Sequence, residues 1–259
     1  MKWALSICLV LVLVPSMVAA QAQPIVPGKH PTTRRVLSPD FRLPAQGPVK
    51  IAFFDADSTL RVAPSGAVTA NGPRDVAILP LVAEVLRGLE KEGYLLAVAS
   101  NQGGIQEGYT TIEAAEGALV FTMAQLSRLG ASFHWLDFAE ASDENRKPKT
   151  GMARRLAETI KTQLGREVDW SKTIMVGDSG WKRRADLEPD GTPGEDFSNA
   201  DRRFAENMAK EFGGVQYHHP RHFFHWMRYG VRNFPNYESL VAFVKAHPEL
   251  DPGVNEPRR

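Results

Sequence analysis

Four short stretches of the chain carry the residue types that phosphate chemistry needs. Asp55-Ala56-Asp57-Ser58-Thr59 sets two carboxylates two positions apart, and Ser100-Asn101-Gln102-Gly103-Gly104 offers a hydroxyl and backbone amides. Arg146-Lys147-Pro148-Lys149-Thr150-Gly151-Met152 supplies a cation just ahead of a helical pattern, and Gly177-Asp178 adds a third carboxylate. Carboxylates gathered in one place repel, and a hard cation such as Mg²⁺ holds them charged. A lysine, a hydroxyl and amides near helix starts make a seat for a phosphate.

The elements that must position these residues are legible in the apolar pattern. Lys50 to Phe54 reads as a buried strand ending at Asp55, Tyr94 to Ala99 as a second ending at Ser100, and Thr173 to Val176 as one ending at Gly177-Asp178. Ser132 to Phe138 and Gly214 to Tyr217 complete a set of five. Between them, Val82, Val85, Leu86 and Leu89 share a helical face that Gly93 terminates. Thr110 to Glu113 is a capping-box pattern opening a helix that Gly130 closes, and helices are expected over about Thr150–Leu164 and Asp201–Phe212. Strands alternating with helices predict a Rossmann-like, doubly wound α/β domain: a parallel sheet with helices on both faces. Ligands of such sheets bind at the carboxyl ends of the strands, where the four stretches fall.

In that order, the four stretches resemble the four motifs of the haloacid dehalogenase superfamily of phosphohydrolases. The resemblance implies roles. Asp55 is the nucleophile that takes the phosphoryl group, and Asp57 protonates the leaving oxygen and then activates water. Asp55, the backbone carbonyl of Asp57, and Asp178 hold Mg²⁺; Ser100 and the amide of Asn101 hold phosphoryl oxygens; Lys147 neutralises charge. Thr59 supports the site. Ser58 is a departure, since many members have glycine there. A narrower likeness covers about Val49 to Phe224. Ser-Asn-Gln-Gly-Gly-Ile, Arg-Lys-Pro-x-Thr-Gly-Met, Asp196-Phe-Ser198-x-x-Asp201-Arg-x-Phe204-Ala-x-Asn207 and Pro220-x-x-Phe223-Phe224 resemble the 3′-phosphatase domain of polynucleotide kinase/phosphatase. Asp201 then fills the place of the second acid of the fourth motif and supports Lys147 or the metal, ahead of Asp186 and Asp196. Positions 179–200 loop out between.

The 259 residues include 31 basic and 30 acidic side chains and one cysteine, Cys8, which exclude a generally basic nucleic-acid coat, a disulfide framework and a cysteine zinc site. Residues 1–20 read as a signal peptide: Lys2, an apolar run from Ala4 to Leu13, Pro15, then small residues. Its removal takes Cys8 away and leaves 30 basic and 30 acidic residues. The expectation is an exported protein, periplasmic or secreted, with no stable membrane association once the signal is gone. Residues 21–48 carry six prolines and read as an extended arm. Residues 49–247 form the phosphatase domain and 248–259 a disordered tail.

The segments after Asp57 and Ser100 leave little or no room for a cap domain. An open site accepts a bulky substrate such as a DNA 3′ end, and Trp181-Lys182-Arg183-Arg184 is a candidate nucleic-acid contact through stacking and backbone charge. No Gly-x-x-x-x-Gly-Lys-Ser/Thr motif occurs, so no kinase half is expected in this chain. His218, His222 and His225 would share a helical face and permit a metal site, but Phe223, Phe224 and Trp226 interleave with them and favour a packed helix. Three functions remain: a Mg²⁺-dependent polynucleotide 3′-phosphatase, a small-molecule phosphatase acting on sugar phosphates or nucleotides, and a non-catalytic binding module. The intact Asp55, Asp57, Lys147 and Asp178 count against the last.

Overall fold

The apolar runs form a five-stranded, wholly parallel sheet in the order β5-β4-β1-β6-β7. Its strands are β1 (Ile51–Phe54), β4 (Leu95–Asn101), β5 (Trp135–Ala139), β6 (Ile174–Val176) and β7 (Gln216–His218). These come from a computed structural model describing residues 31–38 and 47–255. The signal pattern of residues 1–20 and much of the proline-rich arm lie outside the described residues. The chain runs from β1 outward to β4 and β5, then returns across β1 to β6. That reversal places the carboxyl ends of β1 and β6 side by side at the sheet's switch point.

Side-chain alternation along the strands feeds two cores. Ala52 and Phe54 of β1, with Leu96 and Val98 of β4, pack under α1 (Val82–Lys91) and α2 (Ile112–Arg128). Ile51, Phe53, Leu95 and Ala97 face the other way, against α3 (Gly151–Leu164) and α4 (Ala200–Phe212), whose Met152, Leu156, Ile160, Phe204 and Met208 are buried. Helices therefore cover both faces, as the alternating pattern predicts. Among the described residues no helix is long and apolar enough to cross a membrane.

Several expectations need correction. Leu60 to Leu79 contains an antiparallel hairpin, β2 (Arg61–Val62) with β3 (Ala77–Ile78), too short to show an alternation in the sequence. The cap of α2 is Thr111, whose hydroxyl accepts from the Ala114 amide at 3.2 Å, one residue later than the Thr110–Glu113 box. The histidines do not share a helix: His218 is on β7, Pro220–Phe223 is a single helical turn (α5), and His225 has a left-handed φ of 62°. What packs is Phe224 and Trp226, both fully buried, with the Trp226 indole donating to the Pro80 carbonyl at 2.9 Å.

Residues 248–255 are not free either. Residues Pro248–Leu250 form a helical turn, and Asn255 bonds both the amide and the carbonyl of Ile78, at 2.7 and 3.0 Å, tying the segment to β3 beyond α6 (Tyr237–Ala246). The described part of the arm is a strap along β5. The amides of Arg35 and Ser38 donate to the carbonyls of Leu136 and His134 at 2.8 Å, and Leu37 is buried in the second core.

Candidate active site

Asp55 follows β1 directly, and its amide donates to the Val176 carbonyl at 2.9 Å, which ties the end of β1 to the end of β6. Its carboxylate meets Lys147, whose Nζ lies 2.6 Å from Asp55 Oδ1 and 2.7 Å from Asp201 Oδ1. Lys147 arrives from the loop before α3, and Asn101 brackets its peptide. The Asn101 Oδ1 accepts from the Lys147 amide at 2.9 Å, and its Nδ2 donates to the Lys147 carbonyl at 3.0 Å. Asn101 and Ser100 form the last residues of β4 itself, so the parallel register fixes both.

Asp201 sits in the first turn of α4, where a carboxylate is favoured by the helix dipole. Its Oδ2 accepts from the Ser179 amide at 3.0 Å. A side chain on Gly177 would collide with it, because a Cβ there would lie 2.2 Å from Asp201 Oδ2. Thr59, fully buried, accepts from the Asp178 amide at 3.1 Å and so holds the fourth stretch against the first. Asp186 and Asp196, the weaker candidates for the second acid, have other duties. Asp196 accepts from the amides of Gly180 and Trp181 at 2.9 and 2.7 Å, and Asp186 from the Lys182 amide and the Asn199 side chain.

The electrostatics follow from this crowding. Burial, reinforced by Asp201 and Asp57, raises the Asp55 carboxyl from 3.8 to about 6 even with Lys147 beside it. Burial and then Asp55 and Asp201 push Asp178 well above the usual carboxylate range. Burial alone would lower Lys147, but Asp201 and Asp55 outweigh it and hold the ammonium above its ordinary value. One ammonium thus stands among three acids. One oxygen each from Asp55, Asp178 and Asp201 lies within 4.8 Å of the others, the one such group of three or more metal-ligating side chains among the described residues. An all-oxygen donor set with excess negative charge fits a hard divalent cation. Asp201 is already engaged by Lys147 and Ser179, which leaves Asp55 and Asp178 as the side chains to face it.

The Asp57 carboxylate belongs to a different environment. Its Oδ1 accepts from Arg61 Nε at 2.9 Å, and its Oδ2 from Gln102 Nε2 at 3.1 Å; the same Gln102 nitrogen reaches Ser100 Oγ at 2.9 Å. Arg61 and Gln102 were not singled out in the sequence. The available signals were an arginine two residues after the Asp-x-Asp-x-Thr string and a third polar residue, directly after Ser100 and Asn101, where β4 ends. Ser58, between Asp57 and Thr59, has φ of 57°, the left-handed region in which glycine is unstrained. Ser58→Gly is therefore expected to stabilise the protein by about 0.5–1 kcal/mol and raise Tm by about 1–3 °C, measured by thermal unfolding. An unchanged or lower Tm would show that the turn does not strain serine.

The loop at 179–200 departs from its expected role in one respect. Trp181 packs inward, edge-on to Tyr217 at 5.5 Å and stacked on His219 at 5.9 Å, with the Arg221 guanidinium 5.8 Å from its ring. Lys182, Arg183 and Arg184 are exposed. The exposed aromatic of this loop is Phe197, 97% accessible, beside Asp196, whose backbone pairs with that of Lys182.

Residues 50–224 match the polynucleotide kinase 3 phosphatase family. A bifunctional polynucleotide phosphatase/kinase of Schizosaccharomyces pombe is 29% identical over 77% of this chain, which spans 44% of that protein's length. A D-glycero-beta-D-manno-heptose-1,7-bisphosphate 7-phosphatase of Pseudomonas putida is 36% identical over 42% of this chain and 59% of its own. A crystal structure described as a HAD-like phosphatase of Mesorhizobium loti superposes with a TM-score of 0.50 at 17% identity, over 70% of this chain and 75% of that one. With the family match covering β1 through α5, the chain belongs to the polynucleotide kinase 3 phosphatase family and is a phosphatase of the haloacid dehalogenase type.

Proposed function

We propose that this chain is a Mg²⁺-dependent phosphomonoester hydrolase acting through an aspartyl-phosphate, with the 3′-phosphorylated ends of polynucleotides as its substrate. The observation that carries the chemistry is Lys147 Nζ held at 2.6 and 2.7 Å between Asp55 and Asp201, with Asp178 alongside. An Asp55 oxygen attacks phosphorus, the P–O ester bond breaks, and the leaving oxygen takes a proton from Asp57. Water then attacks the same phosphorus, Asp57 takes its proton, the acyl-phosphate P–O bond breaks, and inorganic phosphate leaves. Lys147 neutralises charge on Asp55 and on the phosphoryl group throughout, while Ser100 and the Asn101 amide hold phosphoryl oxygens. Mg²⁺, held by Asp55, Asp178 and the Asp57 carbonyl, would add charge neutralisation at the transferred group.

Family membership and the loop at 179–200 support the choice of substrate. Exposed Lys182, Arg183 and Arg184 suit a phosphate backbone, and Phe197 offers a free ring for a base, replacing Trp181 in that part. The heptose-bisphosphatase relative supports a second reading, in which the same chemistry serves a small sugar phosphate. Export remains our reading of residues 1–20; the N-terminal sequence of the protein recovered from each cell fraction tests it, and a cytoplasmic chain retaining residue 1 would contradict it.

The deciding experiment compares kcat/KM for a 3′-phosphorylated oligonucleotide and for a panel of sugar phosphates and nucleotides, with Mg²⁺ and with chelator. The oligonucleotide is expected to lead by at least about tenfold, its KM rising with salt as backbone contacts are screened. A sugar phosphate in the lead would move the substrate to the second reading. Undiminished turnover in chelator would remove the cation from the reaction.

A further inference from the structure

Arg61 is fully buried, and none of the steps above uses it. It lies on β2, four residues after Asp57, with the two residues bridged through their backbones. Its Nε donates to Asp57 Oδ1 at 2.9 Å, and its Nη1 to Thr122 Oγ1 on α2, also at 2.9 Å. Thr122 is itself fixed, its hydroxyl donating to the Ala118 carbonyl at 2.8 Å. The remaining nitrogen, Nη2, is buried without a hydrogen-bond partner. A wholly buried guanidinium that meets one carboxylate and leaves a donor unpaired is a poor stabiliser, because desolvation offsets much of the attraction. An apolar residue would fill the place at least as well.

We propose that Arg61 is the positioning residue for the leaving-group step. It pins Oδ1 of Asp57 against β2 and α2, so that Oδ2 is the oxygen that carries the proton to the departing alcohol. The two oxygens are held unequally. Oδ1 faces a charged, immobilised donor, whereas Oδ2 accepts from Gln102 Nε2 at 3.1 Å, a neutral donor shared with Ser100 Oγ. Gln102 can retain Ser100 while Oδ2 turns to the substrate; Arg61 has no comparable alternative. The proposal rests on the reading of Asp57 as general acid, and adds which of its oxygens works and what holds it.

The test uses two phosphomonoesters that differ in their need for that proton: p-nitrophenyl phosphate, whose leaving group departs as a stable anion, and the alkyl ester that the parent protein hydrolyses best. The constant to compare is kcat/KM, which ends at departure of the leaving group and excludes hydrolysis of the acyl-phosphate. Arg61→Met is expected to lose about 100-fold on the alkyl ester, and about tenfold less than that on the aryl ester. Arg61→Lys should recover part of the alkyl loss. Thr122→Val, which keeps the ion pair but frees its far end, should show a smaller loss with the same preference. Equal losses on both esters, or none, would overturn the proposal, and if Arg61→Met does not fold, Thr122→Val decides in the same way. Asp57→Asn run alongside separates the two layers. If it shows no alkyl-selective loss, Asp57 is not the acid and the proposal falls with that reading. If it shows one and the Arg61 and Thr122 variants do not, the role of Arg61 alone is refuted.

Discussion

Asp55→Asn is expected to lower phosphate release by about 10⁴-fold or more, with the fold intact and, in chelator at neutral pH, more heat-stable than the parent. The loss of activity follows from the covalent route, since an amide oxygen is too weak a nucleophile to take the phosphoryl group. The gain in stability follows from the site's electrostatics. In the folded chain Asp55 keeps its proton up to about pH 6, against 3.8 ordinarily. Over that window the folded state binds more protons than the unfolded one, so stability falls as pH rises through it. Asparagine keeps the shape and an acceptor for Lys147 without the charge. The variant should therefore gain up to about 3 kcal/mol above pH 6, read as a Tm higher by several degrees, and nothing below about pH 4. Phosphate release within about a hundredfold of the parent would exclude the covalent route. A Tm below the parent's at pH 8 in chelator would show that Asp55 is not held against its charge.

The centre of the sheet was legible because β1, β4 and β6 are apolar runs that lead into the polar residues that matter. β1 ends at Asp55 and β6 at Gly177-Asp178, and a run of that kind reads the same from sequence as from structure. Asp201 could be ranked above Asp186 and Asp196 only by resemblance. Its decisive property, an oxygen 2.7 Å from Lys147, depends on a loop of twenty-odd residues closing back on β6, which no local pattern encodes. Arg61 and Gln102 escaped for a similar reason: their partner is a single carboxylate reached through a two-residue strand and a strand-end turn. Trp181 was misplaced because composition marks an aromatic beside cations but not its facing. The ring turns inward onto Tyr217 and His219, and Phe197, sixteen positions on, takes the exposed place. Residues 248–255 looked polar and free, yet one side chain, Asn255, supplies both bonds that tie this stretch to β3.

Lys147→Met should change stability in the opposite sense to Asp55→Asn, although both remove a charge from the same pair. Lys147 is buried, and it is the cation that meets both Asp55 and Asp201. Without it, ionised carboxylates remain in low dielectric with no compensation, a loss of about 3–5 kcal/mol at pH 8 in chelator. Turnover should fall about 10³-fold or more, since charge developing on the phosphoryl group then lacks its neutralising partner. Two recoveries distinguish this from ordinary loss of packing. Acidification should narrow the stability gap, because Asp55 and Asp178, already raised by burial, take up protons readily. Mg²⁺ should narrow it at pH 8 by replacing part of the missing positive charge. The two substitutions must also be strongly non-additive. In Asp55→Asn/Lys147→Met the ammonium and one of the carboxylates it balanced are both gone, so Asp55→Asn should stabilise the Lys147→Met background by clearly more than it stabilises the parent. If Lys147→Met equals the parent in Tm at pH 8 in chelator, the carboxylates are not ionised there and Lys147 is not their counterion. If the two effects simply add, Asp55 and Lys147 are not coupled as a pair, and the account of the site as acids balanced on one ammonium fails.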